Sequence, residues 1–265
     1  MSSMRTFTLA NTDFTRVEID GQKRRLLTRE AYDRFNPSLL GLGSLSSEAV
    51  STDSVAAMFD LEGFTTFCKQ IEPHLSVPVF LNAFLEWLME QIKAEMKYQE
   101  FPEGVALWGP LPFFIKFMGD GLLVLWDVSR SDDNARRNII VTAREICLRY
   151  RQEFFPHIES IVSEPPPVLR CGLARGTVFS VGNRSDFVGS CINMAARLQK
   201  LPGATFAFNR RGINIDDPDA AGFFRDEIVV KRTAVRGIGE KELVCIPKFE
   251  FSNMSEADRA TYHEV

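Results

Sequence analysis

The sequence predicts an α+β sandwich: a mostly antiparallel sheet with helices on one face, in a single domain that carries an N-terminal arm. Three observations predict it. Short apolar runs bounded by turn residues are interleaved with longer segments whose apolar residues recur at helical spacing. Two of the runs, 113–118 and 122–127, are separated only by Gly119, Asp120 and Gly121, a strong hairpin signal. The order that results is strand, helix, hairpin, helix, hairpin, helix, strands, which differs from the regular β–α alternation of a parallel sheet.

Residues 1–50 read as the arm: mixed in charge, with one short helical pattern and a Ser/Gly-rich end. The Lys23–Arg24–Arg25 run reads as a solvated face, while Leu26, Leu27 and Phe35 suggest that the arm packs against something. The apolar run 55–60 is a buried strand that stops on one carboxylate, Asp60, before a tight turn through Gly63. Over 78–99, Phe80, Phe84, Trp87, Leu88, Ile92 and Met96 share one helical face, and Pro78 marks a natural start. Their spacing makes these aromatics core packing.

Asp120 belongs at the tip of the 113–127 hairpin. Lys116 is an anomaly inside it, a cation with apolar neighbours on both sides. Ser131 and Asp132 cap a helix that runs to about Phe155. Runs 168–174 and 177–181, joined by Arg175 and Gly176, predict a second hairpin. A helix follows through Ile192, Ala195, Ala196, Leu198 and Leu201, preceded by Asp186 and Gly189. Asn193 and Arg197, at i and i+4, share one of its faces. Strands are predicted near 205–208, 227–230 and 242–246, within a domain of 51–250 followed by a tail of 251–265.

Composition narrows the function classes. The 265 residues are 45% hydrophobic and 25% charged, enough for a sizeable core. A net charge of −4 gives no sign of a nucleic-acid surface. The five cysteines are scattered and lack a C-x-x-C pair, and the three histidines are dispersed, which argues against a disulfide framework, a zinc ribbon or a histidine metal site. No apolar run approaches the roughly 18 residues that a membrane helix needs, and the N-terminus lacks a signal-type apolar segment. The expectation is a cytosolic protein.

Asp60 and Asp120, each at the end of an apolar run beside a glycine turn, are hard oxygen donors suited to Mg²⁺ or Mn²⁺. The backbone N–H groups of Gly63, Phe64 and Thr65, opening the next helix, can face phosphate oxygens.

Three stretches carry more together than apart: F-D-L-E-G-F-T at 59–65, K-F-M-G-D at 116–120, and D-F-V-G-S-C-I-N-M-A-A-R at 186–197. In this order and spacing they resemble the signatures of class III nucleotidyl cyclases, over residues of about 52–248. The resemblance implies a ferredoxin-like cyclase sandwich assembled as a head-to-tail homodimer. It places Asp60 and Asp120, with Leu61 beside them, at a site for two divalent cations, Mn²⁺ or Mg²⁺. It makes Lys116 and Asp186 readers of the base, Asn193 the group that orients the ribose, and Arg197 the cation on the α-phosphate. Arg236, in the V-R-G at 235–237, stands where the family usually has a triphosphate-binding lysine, and its planar fork can change that contact. In the implied dimer the aspartates come from one chain, and Lys116, Asp186, Asn193 and Arg197 from the other.

The reaction implied is in-line attack of the ribose 3′-oxygen on the α-phosphorus, with pyrophosphate leaving. Two carboxylates on neighbouring strand ends can hold ions about 3.5–4 Å apart, and Arg197 meets the charge that develops on the phosphoryl oxygens. A donor at Lys116 beside an acceptor at Asp186 fits adenine, cytosine or uracil, so this pair leaves ATP, CTP and UTP open. A short arm with a single such domain, together with FDLEGFTTFCKQ, PHLSVPVFLNAF and VGSCINMAARLQKL, looks most like the pyrimidine cyclases of Pycsar anti-phage systems. That resemblance implies cyclic UMP first and cyclic CMP second, read by a separate effector. An adenylyl cyclase in general signalling is the alternative, and a non-catalytic nucleotide-sensing dimer a further one.

Overall fold

The structure is a computed structural model that describes residues 14–215 and 223–265. Residues 1–13, part of the expected arm, lie outside the described residues. The chain divides into two compact units, one of the described residues through Ser51 with Phe179–Val188, the other of Thr52–Val178 with Gly189–Val265.

In the first unit β1 (Phe14–Ile19) and β2 (Gln22–Leu27) form an antiparallel hairpin turned by Asp20 and Gly21, both at positive φ. Lys23, Arg24 and Arg25 lie exposed on β2, followed by the short helix α1 (Arg29–Asp33), which Thr28 caps.

The second unit is built on β3 (Ser51–Glu62), whose continuous apolar run is buried on both faces. After it come α2 (Phe64–Phe67), α3 (Pro73–Met96), a ribbon of β4 (Lys97–Phe101) with β5 (Gly104–Leu107), then β6 (Phe114–Phe117) and β7 (Gly121–Asp127). Helix α4 (Asp133–Arg149) is capped by Asp132, whose side chain accepts from the Ala135 N–H, and passes through a π-turn at Tyr150–Phe154 into α5 (Phe155–Glu159). Strand β8 (Val168–Val181) follows, then β9 (Asp186–Val188), α6 (Ser190–Leu198), β10 (Phe206–Asn209), α7 (Phe223–Asp226), β11 (Ile228–Val235), β12 (Gly239–Pro247), α8 (Lys248–Asn253) and α9 (Glu256–Arg259).

The sheet order is β11-β12-β10-β8-β3-β7-β6. Pairs β3–β7, β6–β7, β10–β12 and β11–β12 are antiparallel and β8–β10 is parallel, so the expected α+β sheet is mixed. Val55, Ala57, Phe59 and Leu61 of β3 join the core with Phe80, Phe84 and Leu88 of α3 and Ile139, Ala143 and Ile146 of α4. The intervening Met58 and Asp60 point to the other face, where α6 lies. Helices therefore flank both faces, because the apolar stripe of α6 (Cys191, Met194, Ala195, Leu198) needs its own cover.

Three local expectations change. Helix α3 begins at Pro73, not Pro78. Pro78 sits in its second turn, where the missing bond is the one to the carbonyl of His74, an exposed residue. The helix ends at Met96, and 97–107 forms a ribbon whose mostly exposed residues carry no apolar alternation to announce it.

The expected hairpin at Arg175-Gly176 is instead the middle of one continuous strand, β8. Arg175 pairs through two nitrogens with Asp53 (2.6 and 3.2 Å), and a Cβ on Gly176 would stand 3.2 Å from Cys191 Cβ. The Arg-Gly pair thus serves an ion pair and a close helix approach, not a turn.

Candidate active site

The β3–β7 register sets two carboxylates side by side. Asp60 pairs with Gly121, and the Leu61 N–H donates to the Asp120 carbonyl at 2.9 Å. Gly121 allows the approach: a Cβ there would lie 2.0 Å from the Phe59 carbonyl oxygen. Gly119, at φ +98°, makes the turn, so Asp120 stands exposed at the hairpin tip while Asp60 is buried.

Across the same sheet face, α6 rests on β8. A Cβ on Gly172 would come within 2.3 Å of the Ala195 carbonyl oxygen, and one on Gly189 within 2.7 Å of the Thr177 carbonyl oxygen. With its buried stripe held this way, α6 presents the exposed Asn193 and Arg197 outward.

The four side chains meet at one groove of about 530 Å³. It is lined by Asp60 and Asp120 from the sheet, by Asn193, Arg197, Gln199 and Lys200 from α6 and its end, and by Gly237 and Ile238 from the β11–β12 turn. Two carboxylates facing two cations across a polar groove can hold a hydrated dication and an anionic phosphate chain together.

The other expected site residues lie around this groove or apart from it. Leu61 has its side chain in the core, so only its main chain can serve a ligand. Gly63, at φ +84°, starts α2; Phe64 is buried in the core and Thr65 is exposed. Arg236 is exposed in the turn whose next two residues line the groove. Lys116 is half-buried on β6 opposite Leu123 and is not among the lining residues. Asp186 belongs to the first unit, where it opens β9, pairs with Val181, and accepts from the Phe187 N–H at 2.9 Å.

Sequence reasoning missed Arg170, Gln199 and Lys200. Arg170, on β8, donates from Nη2 to Asp60 Oδ2 at 2.8 Å. Its signal is the same as that of Lys116, a lone cation inside the apolar run V-L-R-C-G-L. Gln199 is buried with its Oε1 unpartnered among the described residues, and no pattern in the sequence marks it.

The donor set fits a divalent ion. No cluster of three or more His, Cys, Asp or Glu side chains that could hold a metal occurs among the described residues. Mg²⁺ is commonly held by one or two carboxylates with the remaining positions filled by water and substrate phosphate, which suits Asp60 and Asp120. The Asp60 carboxylate already gathers a cation, the Arg170 guanidinium.

No family model and no curated protein matches the chain. Solved structures do. The guanylyl cyclase Cya2 superposes with a TM-score of 0.54 at 19% identity, covering 76% of this chain and 93% of its own. The adenylyl cyclase CyaB from P. aeruginosa gives 0.52 at 16% identity, covering 76% and 96%. A bacterial light-regulated adenylyl cyclase gives 0.52 at 16% identity, covering 88% and 66%. The chain has the class III cyclase fold. Within that fold the groove takes its acids from the β3–β7 strand ends and its cation and amide from α6. No helix among the described residues is long and apolar enough to cross a membrane.

Proposed function

We propose that this protein is a nucleotidyl cyclase that converts a nucleoside triphosphate into a 3′,5′-cyclic nucleotide and pyrophosphate. The observation that carries the reading is the single groove lined by Asp60, Asp120, Asn193 and Arg197. Asp60 and Asp120, with the Leu61 main chain, would hold two divalent cations, Mn²⁺ or Mg²⁺. When bound, these would supply charge screening and a more acidic ribose 3′-hydroxyl. Asn193 orients the ribose so that its 3′-oxygen lies in line with the α-phosphorus. Arg197 neutralises charge developing on the phosphoryl oxygens as the bond to pyrophosphate breaks. Arg236 and the N–H groups of Gly63, Phe64 and Thr65 bind the triphosphate, and Lys116 and Asp186 read the base.

The working unit in this reading is a homodimer with shared sites. Its substrate is a pyrimidine nucleotide, UTP before CTP. The product acts in the cytosol as a second messenger on a separate effector in anti-phage defence. Support for the base comes only from the sequence resemblance to pyrimidine cyclases. Lys116 supports ATP as the second reading, since a donor there also reads adenine.

The deciding experiment incubates purified protein with ATP, GTP, CTP and UTP separately, with Mn²⁺, and separates the products by chromatography. Cyclic UMP or cyclic CMP is the expected product. Cyclic AMP would replace the pyrimidine reading with the adenylyl one, and no cyclic product from any of the four would overturn the cyclase reading.

A further inference from the structure

Arg170 and Gly172 lie two apart on β8 and so share a face, the one on which α6 rests. On that face the Arg170 guanidinium reaches Asp60, and its bonding is incomplete. Nη2 donates to Asp60 Oδ2 at 2.8 Å, Nη1 is 3.9 Å from Glu62 Oε1, and Nε is buried with no hydrogen-bond partner among the described residues. An arginine that serves only to tie down a carboxylate typically uses two parallel bonds. Here the Arg175–Asp53 pair on the same strand does so, and the Arg170–Asp60 pair does not. The contact is one-pronged, on the acid best placed to receive a metal ion.

We propose that Arg170 is a positioning residue that occupies Asp60 as a resident counter-cation, so that a divalent ion entering the groove must displace its guanidinium from Asp60 Oδ2. This rests on the reading of Asp60 as a metal ligand. Two cations on one carboxylate oxygen repel, so gaining the ion and releasing the arginine are a single exchange. The free carboxylate stays neutralised and aimed until the ion arrives, and the chain's intrinsic affinity for the ion is held low. Release also turns a cation into the groove.

The test is Mn²⁺ binding by the whole chain without nucleotide, read from the electron paramagnetic resonance signal of free Mn²⁺. Arg170→Met, uncharged and similar in length, is expected to bind Mn²⁺ at least about tenfold more tightly than the parent, as loss of a close repelling charge requires. Arg170→Lys, which keeps the charge, should stay near the parent, and Asp60→Asn should bind far more weakly. An Arg170→Met chain that binds Mn²⁺ no more tightly, while Asp60→Asn is weakened, overturns the exchange and leaves the metal reading standing. An Asp60→Asn chain with parental affinity overturns both.

Should Arg170→Met fail to fold, the parent chain answers alone. The Arg170 Nε–H resonance is followed by NMR during a Mg²⁺ titration. A shift that saturates together with calorimetric Mg²⁺ binding supports the exchange, and an unmoved resonance at saturation overturns it.

Discussion

Gly172 of β8 and Ala195 of α6 approach so closely that any β-carbon on residue 172 would sit 2.3 Å from the Ala195 carbonyl oxygen and 2.5 Å from the Gln199 nitrogen. Both obstacles are backbone, so the helix itself would have to move. Gly172→Ala is expected to cost about 1–3 kcal/mol through overpacking and Gly172→Val more. Because α6 carries Asn193 and Arg197, turnover should fall by more than the lost stability explains. Thermal melts beside a cyclase assay would show this; a Gly172→Val chain with parental melting point and turnover would contradict it.

Asp60→Ala and Asp120→Ala should each reduce cyclisation below about a hundredth of the parent rate with the fold retained by circular dichroism, since removing either leaves too few hard ligands for the ions. Residual activity above that level in a folded variant would remove the two-carboxylate assignment.

One chain alone brings both acids, Asn193 and Arg197 to a common groove, whereas the homodimer reading divides them between partners. Mixing inactive Asp60→Ala chains with inactive Arg197→Ala chains separates the arrangements. Recovery of activity in isolated mixed dimers supports shared sites. Mixed dimers that stay inactive would mean that each chain works with its own groove.

The thiols offer a check by pH. Burial pushes Cys191 up to about 11 from an ordinary 9.0, and burial beside Cys147 pushes Cys171 well up. At pH 8 only on the order of one Cys191 in a thousand is thiolate, the nucleophilic form. Iodoacetamide at pH 8 should therefore label the half-buried Cys68 first and spare Cys191 and Cys171, as peptide mass mapping would reveal. The sign carries over to stability: with its folded value raised, Cys191 contributes fully below pH 9.0 and loses that contribution as the pH climbs towards about 11. Rapid labelling of Cys191 in the folded chain at pH 8 would contradict its burial.

Much of this was legible in the residues. Short apolar runs bounded by turn residues located β3, β6, β7, β10 and β12, and the Gly-Asp-Gly connection located the hairpin tip with Asp120 upon it. The i, i+4 spacing of Asn193 and Arg197 predicted the shared face that lines the groove. What stayed hidden depends on contacts distant in sequence. Arg175-Gly176 has the composition of a turn, yet Asp53 and Cys191, far off along the chain, keep the strand straight there. Arg170 could be seen as a cation in an apolar run, but its partner is 110 residues earlier. The ribbon at 97–107 escaped because its strands are largely exposed and show no periodicity.

The two acids of the groove are held differently: Asp60 sits within the β3–β7 ladder and against Arg170, while Asp120 stands exposed on a glycine turn. Asp60 is thus held by strand and by ion pair, while the Asp120 side chain faces solvent. With an ion bound as proposed, Asp60 would register it against the sheet and the freer Asp120 side chain would adjust to its radius. In the proposed reading such a pair would accept more than one dication, and stiffening that turn would make the protein choosier about its metal.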